Sequence, residues 1–406
     1  MKKFIVTGIQ MRNKGSQAMF LSLYWGLKSI YKDCEVTGFA FKVDAPDQYA
    51  FKLLPYDDYT RFLFKYHLND IPLLTPILTY LASRLKKNDK WNDTPREMTA
   101  AIRDADAIFD ASGYTLGSGW SKKGGRRLLD TIKTAKRYDT KIILMPQSFG
   151  PFDWGTQDDD ADFLEEVKEG LQYASRIYAR EREGYECLKS LGLKNVELSA
   201  DLVIREKFFP DADQILADHD ARNASYPDQG SVGFIVNENL FRVGDPDTVL
   251  NLYARMLDKL ADDGEKVYIL TTSTVDEDLV EGILAKTRSR AKFNLISGEY
   301  SSPELIDMIA RFKYVVASRY HSVVFAYRNA VPAIILGWAT KYSDLALHFG
   351  QQGYVFDIRN ADVDGIIDQI EKMGANHETE SQRIRDRLED IQATSVVQEA
   401  VAALQG

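Results

Sequence analysis

The sequence predicts an α/β protein built from two Rossmann-like, doubly wound domains facing each other across a cleft, with a C-terminal helix. Three observations predict it. The chain has 406 residues, enough for two domains that each bury their own core. Short, near-continuous apolar runs, as expected of strands covered on both faces of a parallel sheet, alternate with amphipathic stretches at helical spacing. One segment rich in Pro, Asp, Asn and Gly interrupts the alternation, which then resumes.

The first domain is expected over residues 1–205. Its strands are FIVTGI (4–9), VTGFAF (36–41), AIFDAS (107–112), IILMPQS (142–148) and RIYAR (176–180), and its clearest helices lie at 15–31 and 162–174. Residues 50–100 form an insertion. Within it IPLLTPILTYL (71–81), carrying Pro72 and Pro76, reads either as a helical hairpin or lid packed on the domain or as a segment resting in a membrane interface. Residues 206–230 read as the linker. The second domain, 231–377, has strands at 231–236, 266–273, 293–297, 314–318, 333–337 and 354–358, with helices at 246–262, 275–289, 303–311, 320–329 and 341–349. The tail, 378–406, reads as one polar amphipathic helix.

Composition removes several classes of function. With 45% hydrophobic and 27% charged residues, the chain has the make-up of an ordinary globular protein. Its formal charge of −9 argues against a general nucleic-acid binder, which needs a basic surface to displace phosphate counterions. No window reaches the ~18 consecutive apolar residues of a membrane span, and MKKFIVTGIQ reads as a first strand, not a signal peptide. Cys34 and Cys187 have no CxxC spacing, and His67, His219, His321, His348 and His377 are scattered without HxH or HExxH spacing, so no metal site is expected. Dinucleotide, P-loop and esterase-elbow motifs are absent.

In open α/β sheets ligands bind beyond the carboxyl ends of the strands, so the strand-end turns hold the candidates. In VVASRYHSVVFAYRNAVPAIILG (315–337), Ser318, Arg319, His321 and Ser322 occupy a strand end and the start of the next helix. There backbone N–H groups attract anions, Arg319 offers a planar fork, and His321 is placed to move a proton. In the other reading Arg319 pairs with a structural carboxylate and His321 only caps the helix. The first strand-end loop offers Asn13 and Ser16, equally readable as a capped polar turn. FDASGYTLGSG (109–119) supplies Asp110 and the flexible Gly113; MPQSFGPF (145–152) supplies Gln147 and Ser148; ARERE (179–183) supplies Arg180; Asp201 ends a further strand or caps a helix. The cluster Lys122, Lys123, Arg126 and Arg127 reads as a solvated helix start or as a contact for an anionic acceptor.

Taken in order, NKGSQAM (13–19), FDASGY (109–114), MPQSFGPF (145–152), ARE…YECL (179–188), SAD (199–201), SRYHSVVFAYRNAVPAI (318–334) and Lys341 resemble the polysaccharide pyruvyl transferase family. Two positions depart from its pattern: Gly184 replaces a usual serine and Ala330 a common glycine. The resemblance implies a GT-B-like fold and transfer of pyruvyl from phosphoenolpyruvate onto a sugar hydroxyl pair as a ketal, in surface or exopolysaccharide biosynthesis. It also implies that Arg319, His321 and Arg180 contact the donor, a doubly acidic molecule that needs cations gathered locally in an acidic protein. The chemistry requires an acid near C3 and a base near the hydroxyl. His321 is the leading acid/base, or else a phosphate ligand. Asp110 is the base candidate, Lys341 faces the leaving phosphate, and Asn13 and Gln147 make uncharged contacts. Phosphoenolpyruvate is a co-substrate, and no cofactor or metal is expected. The expected acceptor is a glycan, free or lipid-linked, and the expected location is the cytoplasm, where the donor is made, with peripheral membrane contact through 61–87. Two rivals stand beside this reading. One is a GT-B glycosyltransferase using a nucleotide-sugar, for which Asp344 would hold the ribose. The other is a non-catalytic sugar- or anion-binding module.

Overall fold

A computed structural model describes residues 1–41, 48–71, 74–86, 94–155, 160–216, 225–272 and 276–405. The chain divides into two compact units, one of Met1–Leu202, Phe208–His219 and Ser395–Gly406, the other of Val203–Lys207 and Asp220–Thr394.

In chain order the first unit contains β1 (Lys2–Ile9), α1 (Lys14–Ile30), β2 (Cys34–Ala40), β3 (Leu53–Pro55), α2 (Asp58–Lys65), α3 (Leu74–Lys86), α4 (Thr94–Asp104), β4 (Ala107–Asp110), β5 (Tyr114–Leu116), α5 (Lys122–Arg137), β6 (Lys141–Phe149), α6 (Asp160–Tyr173), β7 (Arg176–Ala179), α7 (Arg182–Ser190) and β8 (Val196–Leu198), before α8 (Leu202–Arg205). Among the described residues its sheet runs β3-β2-β1-β4-β6-β7-β8, with β5 added on the end of β6. Every strand pair is parallel, Val6 lying opposite Phe109 and Phe109 opposite Ile143. Strands buried on both faces need apolar side chains on both, which is why β4 (AIFD) and most of β6 are buried along their whole length.

The second unit contains β9 (Ser231–Ile235), α9 (Pro246–Asp262), β10 (Val267–Leu270), α10 (Glu277–Leu284), β11 (Phe293–Ile296), α11 (Ser302–Ile309), β12 (Phe312–Ala317), α12 (Tyr320–Arg328), β13 (Ala333–Gly337), α13 (Thr340–His348), β14 (Val355–Asp357) and α14 (Val363–Ile391). Its sheet order, β11-β10-β9-β12-β13-β14, is again all parallel. Local chemistry sets the helix starts. Asp245 accepts from Thr248 N with Pro246 in the first turn of α9, and Ser301 with Glu304 forms a capping box on α11. Each sheet reverses direction once, between β1 and β4 and between β9 and β12, and the crevice beyond such a switch point is where doubly wound folds bind ligands.

Two expectations are corrected here. The segment read as a linker over 206–230 returns to the first unit across 208–219: Ile215 is fully buried and its carbonyl accepts Ala50 N at 3.1 Å. A single fully buried aliphatic side chain anchors the segment without producing any periodicity. The tail is not one helix from 378. α14 already begins at Val363, and after it a separate helix, α15 (Val396–Ala403), joins the first unit. There it lies so close to α1 that a Cβ on Gly26 would come within 2.9 Å of Val397. Strands β3, β5 and β8, of three residues each, are too short to show in the pattern.

Candidate active site

In the second unit the loop after β12 is fixed from three sides. Asn237, just past β9, donates through Nδ2 to the Ser318 carbonyl at 2.9 Å, and the Tyr342 hydroxyl donates to the same oxygen at 2.9 Å. The Tyr253 hydroxyl and Ser318 Oγ lie 2.6 Å apart, and burial pushes the Tyr253 pKa far up, so it stays a neutral partner. Ser318 and Ser322 are both buried. Ser318 therefore acts as the backing of the site, which corrects its expected role as a donor ligand.

This pinned loop delivers Arg319 to the N-cap of α12. Its Nε and Nη2 each donate at 2.6 Å to the two carboxylate oxygens of Asp276. Asp276 is completely buried and also accepts Glu238 N at 3.0 Å, whereas the Arg319 side chain is 22% exposed. The pairing with a structural carboxylate, one of the two readings of Arg319, is present. It engages only one edge of the fork, however, and Nη1 makes no hydrogen bond among the described residues. Asp276 thus clamps one side of the guanidinium.

His321 follows two residues later and is half-buried, its ring perpendicular to Tyr320 at 5.3 Å between centroids and tilted against Phe325 at 6.3 Å. Lys341, in the first turn of α13, places Nζ 5.2 Å from the Tyr320 ring centroid. One tyrosine ring thus touches both His321 and Lys341. Neither Arg319 nor Ala339, the N-caps of α12 and α13, provides a side-chain cap hydrogen bond. Asn13, Asp57, Asp245 and Ser301 do so at α1, α2, α9 and α11. The N-caps of α5, α7 and α10 likewise make none, so a helix start without a side-chain cap is not particular to the Arg319 loop.

In the first unit the switch point centres on Asp110, which is 1% exposed. Its carboxylate accepts from Thr7 Oγ1 at 2.8 Å, Ser112 N at 3.1 Å and Gln147 Nε2 at 3.3 Å. Gly8 makes this possible: at φ 76° a Cβ there would lie 2.2 Å from Ser112 Oγ. A cavity of about 80 Å³ opens here, lined by Gly8, Gln10, Asp110 and Ser112 together with Arg61 and Arg127. Gln147 is fully buried, and its Oε1 has no hydrogen-bond partner among the described residues. Gly113, at φ 75°, accepts Ser148 N at 2.7 Å.

Arg180 differs from its expected place. It is buried, with Nε 3.0 Å from both Ser148 Oγ and Glu181 Oε1 and Nη1 3.0 Å from Asp201 Oδ2. The Ser148 hydroxyl donates to Glu181 at 2.5 Å. Two buried carboxylates need a cation, and Arg180 supplies it as an internal counter-ion instead of presenting its charge to a ligand. Asn13 and Ser16 form the capped turn: Asn13 Oδ1 accepts Ser16 N at 3.0 Å, and Ser16 Oγ accepts Gln10 N at 2.9 Å.

Asp276, Asn237, Thr7 and Glu181 escaped the reading of the sequence. Asp276 sits at a helix N-cap, where an aspartate is ordinarily a cap, yet it makes no cap hydrogen bond and turns to Arg319. Only the fold shows that.

The profile of the polysaccharide pyruvyl transferase family matches residues 13–340. The chain belongs to that family. The matched region holds Asn13, Ser16, Asp110, Gln147, Arg180, Arg319 and His321, and Lys341 follows it immediately. No curated protein matches this pyruvyl transferase family member in sequence. Among solved structures it is similar to a UDP complex of S. aureus MnaA, with a TM-score of 0.59 at 12% identity over 99% of this chain and 95% of the other. It is similar also to a putative UDP-N-acetylglucosamine 2-epimerase from Listeria monocytogenes, with a TM-score of 0.56 at 9% identity over 94% and 90%. The spinosyn rhamnosyltransferase SpnG bound to thymidine diphosphate gives 0.53 at 13% identity over the whole of both chains. At such identities the likeness establishes the GT-B type of fold and nothing more. Family membership makes the protein a transferase of polysaccharide biosynthesis and disfavours the nucleotide-sugar glycosyltransferase reading, Asp344 included.

Proposed function

We propose that this transferase moves pyruvyl from phosphoenolpyruvate onto two hydroxyls of a sugar, forming a ketal and releasing inorganic phosphate. The observation that carries the reading is the half-engaged Arg319 fork at the start of α12, with His321 and Lys341 against one tyrosine ring beside it. A donor bearing a phosphate and a carboxylate offers acceptor atoms to the Nη1 edge of Arg319 and to Lys341, and its negative charge suits the first turns of α12 and α13. His321, on the same turn, gives its proton to C3 of the donor. C2 then takes on oxocarbenium character, one sugar hydroxyl adds there, phosphate leaves with the C2–O bond electrons, and the second hydroxyl closes the ketal. Proton transfer by a positioned side chain contributes about 10²–10⁴-fold.

The acceptor sugar is assigned to the β1/β4 switch point. Asp110 lines that cavity as the candidate base, held by Thr7, Ser112 and Gln147. Arg180 serves this side by neutralising Glu181 and Asp201.

The test is phosphate release from phosphoenolpyruvate with a panel of free and lipid-linked glycans, paired with mass spectrometry for an acceptor that gains one pyruvate less one water. Acceptor-dependent release with that mass gain supports the reading. Absence of both across the panel, together with turnover of a nucleotide-sugar, overturns it.

A further inference from the structure

The segment over 58–86 presents its chemistry the wrong way round for a helix pair in water. On α3 the inward side chains are Thr75 and Thr79, 7% and 1% exposed. Each satisfies its own hydroxyl on the preceding turn, Thr75 on the Ile71 carbonyl at 2.8 Å and Thr79 on the Thr75 carbonyl at 2.7 Å. The outward side chains are Leu74, Ile77, Tyr80 and Leu81, between 37% and 55% exposed, and Ile71 just before them is 40% exposed. At 100° per residue those four helical positions fall within a stripe of about 120°. A surface helix normally hides such a stripe and exposes its threonines. On α2, Phe62 and Tyr66 are exposed as well, with ring centroids 4.9 Å apart.

Phe62 and Tyr66 also line a cavity of about 370 Å³ whose other walls carry Arg61, Lys65, Lys123, Arg126 and Arg127 against only Asp58 and Asp130. Five cations gather there in a chain whose overall charge is −9. Asp58 is already paired with Arg127 at 2.7 Å. Arg61 and Arg127 line the switch-point cavity too, so the basic pocket shares a wall with it. No helix among the described residues is long and apolar enough to cross a membrane.

We infer that the outer face of α2 and α3 docks the protein on an anionic lipid bilayer, the apolar stripe entering the interface and the basic pocket taking a lipid phosphate. Charge complementarity selects this occupant: a second copy of the chain would bring five more cations to the same place, whereas a bilayer of anionic lipid supplies both the hydrocarbon and the counter-charge. The inference stands apart from the pyruvyl-transfer reading, because its test contains neither donor nor acceptor.

Full-length protein is sedimented with phosphatidylglycerol vesicles and with phosphatidylcholine vesicles. Wild type is expected to bind the former, to lose most of that binding at about 0.5 M salt, where screening shortens to a few ångströms, and to bind the latter at least ~10-fold less. The doubly exposed variant Ile77→Glu/Leu81→Glu should lose at least ~10-fold of the binding with an unchanged thermal melt. The triple variant Lys65→Gln/Lys123→Gln/Arg126→Gln should lose the preference for anionic vesicles. Absence of wild-type binding, equal binding to both vesicles, or equal binding by the variants overturns the inference. So does a lipid-free dimer, by light scattering, that Ile77→Glu dissociates, because that outcome gives the face to a second copy.

Discussion

Replacing Arg319 by lysine keeps the charge and removes the fork, and the structure sets what that costs. The guanidinium spends Nε and one Nη2 hydrogen on Asp276, both at 2.6 Å, which in the proposed reading leaves the Nη1 edge for the donor. An ammonium has one nitrogen. Drawn to the fully buried Asp276, it has no second edge to offer, and drawn to the donor it abandons a buried carboxylate. Either way about two charge-assisted hydrogen bonds disappear, at about 1.5 kcal/mol or more each. At 1.4 kcal/mol per decade, kcat/KM for the donor falls ~10²-fold, mostly through KM. Asp276→Asn releases the clamp while keeping its shape. Its single effect mixes lost orientation with the relief of a negative charge near an anionic donor, so the pair is read as a cycle. Initial rates of phosphate release against donor concentration are measured for wild type, Arg319→Lys, Asp276→Asn and the double variant. Because both substitutions attack the same fork, their effects should fall short of additive by about 1 kcal/mol or more. Strict additivity, or an Arg319→Lys enzyme within about threefold of wild type, refutes the argument that Asp276 presents the fork.

Three further outcomes follow from the same geometry. His321→Ala should lower kcat by at least ~10²-fold with an unchanged melting curve, and a wild-type rate would remove histidine from the proton transfer. Ala330, at φ 56°, holds a left-handed conformation that costs a residue with a Cβ about 1 kcal/mol, so Ala330→Gly should raise stability by up to about that amount in urea unfolding, less the entropy glycine adds to the unfolded chain. Burial raises the pKa of Asp130 despite Lys65 and Lys133 nearby. A carboxyl whose folded pKa is raised favours the folded state while protonated and loses that contribution as pH rises through the folded value. Asp130→Asn should therefore be more stable than wild type near pH 7, and the two should converge below about pH 4, where the carboxyl is protonated in both states; a difference that persists at low pH would show that packing, not charge, separates them.

Much of the framework is legible because it rests on local rules. The apolar runs locate β1, β4, β6, β9, β12 and β13 to within two residues, and Asp245-Pro246 fixes the start of α9 where the pattern puts it. The positions of Arg319 and His321 follow from the same rule, since a strand must end before a helix begins. What surrounds them does not. Asp276 lies 43 residues before Arg319 and belongs to another helix, so no spacing announces the clamp. Arg180 has the sequence signature of a ligand, and only the fold shows Glu181 and Asp201 engaging it. The periodicity of α3 identifies a helix but says nothing about which face turns inward, because the threonines satisfy themselves on their own backbone. The break between α14 and α15 did carry a local sign: Ser395 accepts Gln398 N at 3.1 Å just ahead of an apolar run. The two family departures also have packing contexts. A Cβ at Gly184 would sit 3.1 Å from the Phe149 backbone, so glycine lets α7 close on β6, whereas Ala330 stands where the backbone favours glycine.

The route of the chain decides how the molecule can be taken apart. It enters the second unit at 203, leaves it at 208, re-enters at 220 and ends back on the first at 395–406. A gene cut once in the middle therefore yields neither half whole: the amino-terminal fragment would lack the stretch that covers Gly26, and the remainder would carry that stretch with nothing to lie against. Exchanging the second unit between relatives demands four joins, and co-expressed fragments should associate only when the last twelve residues travel with their proper neighbour.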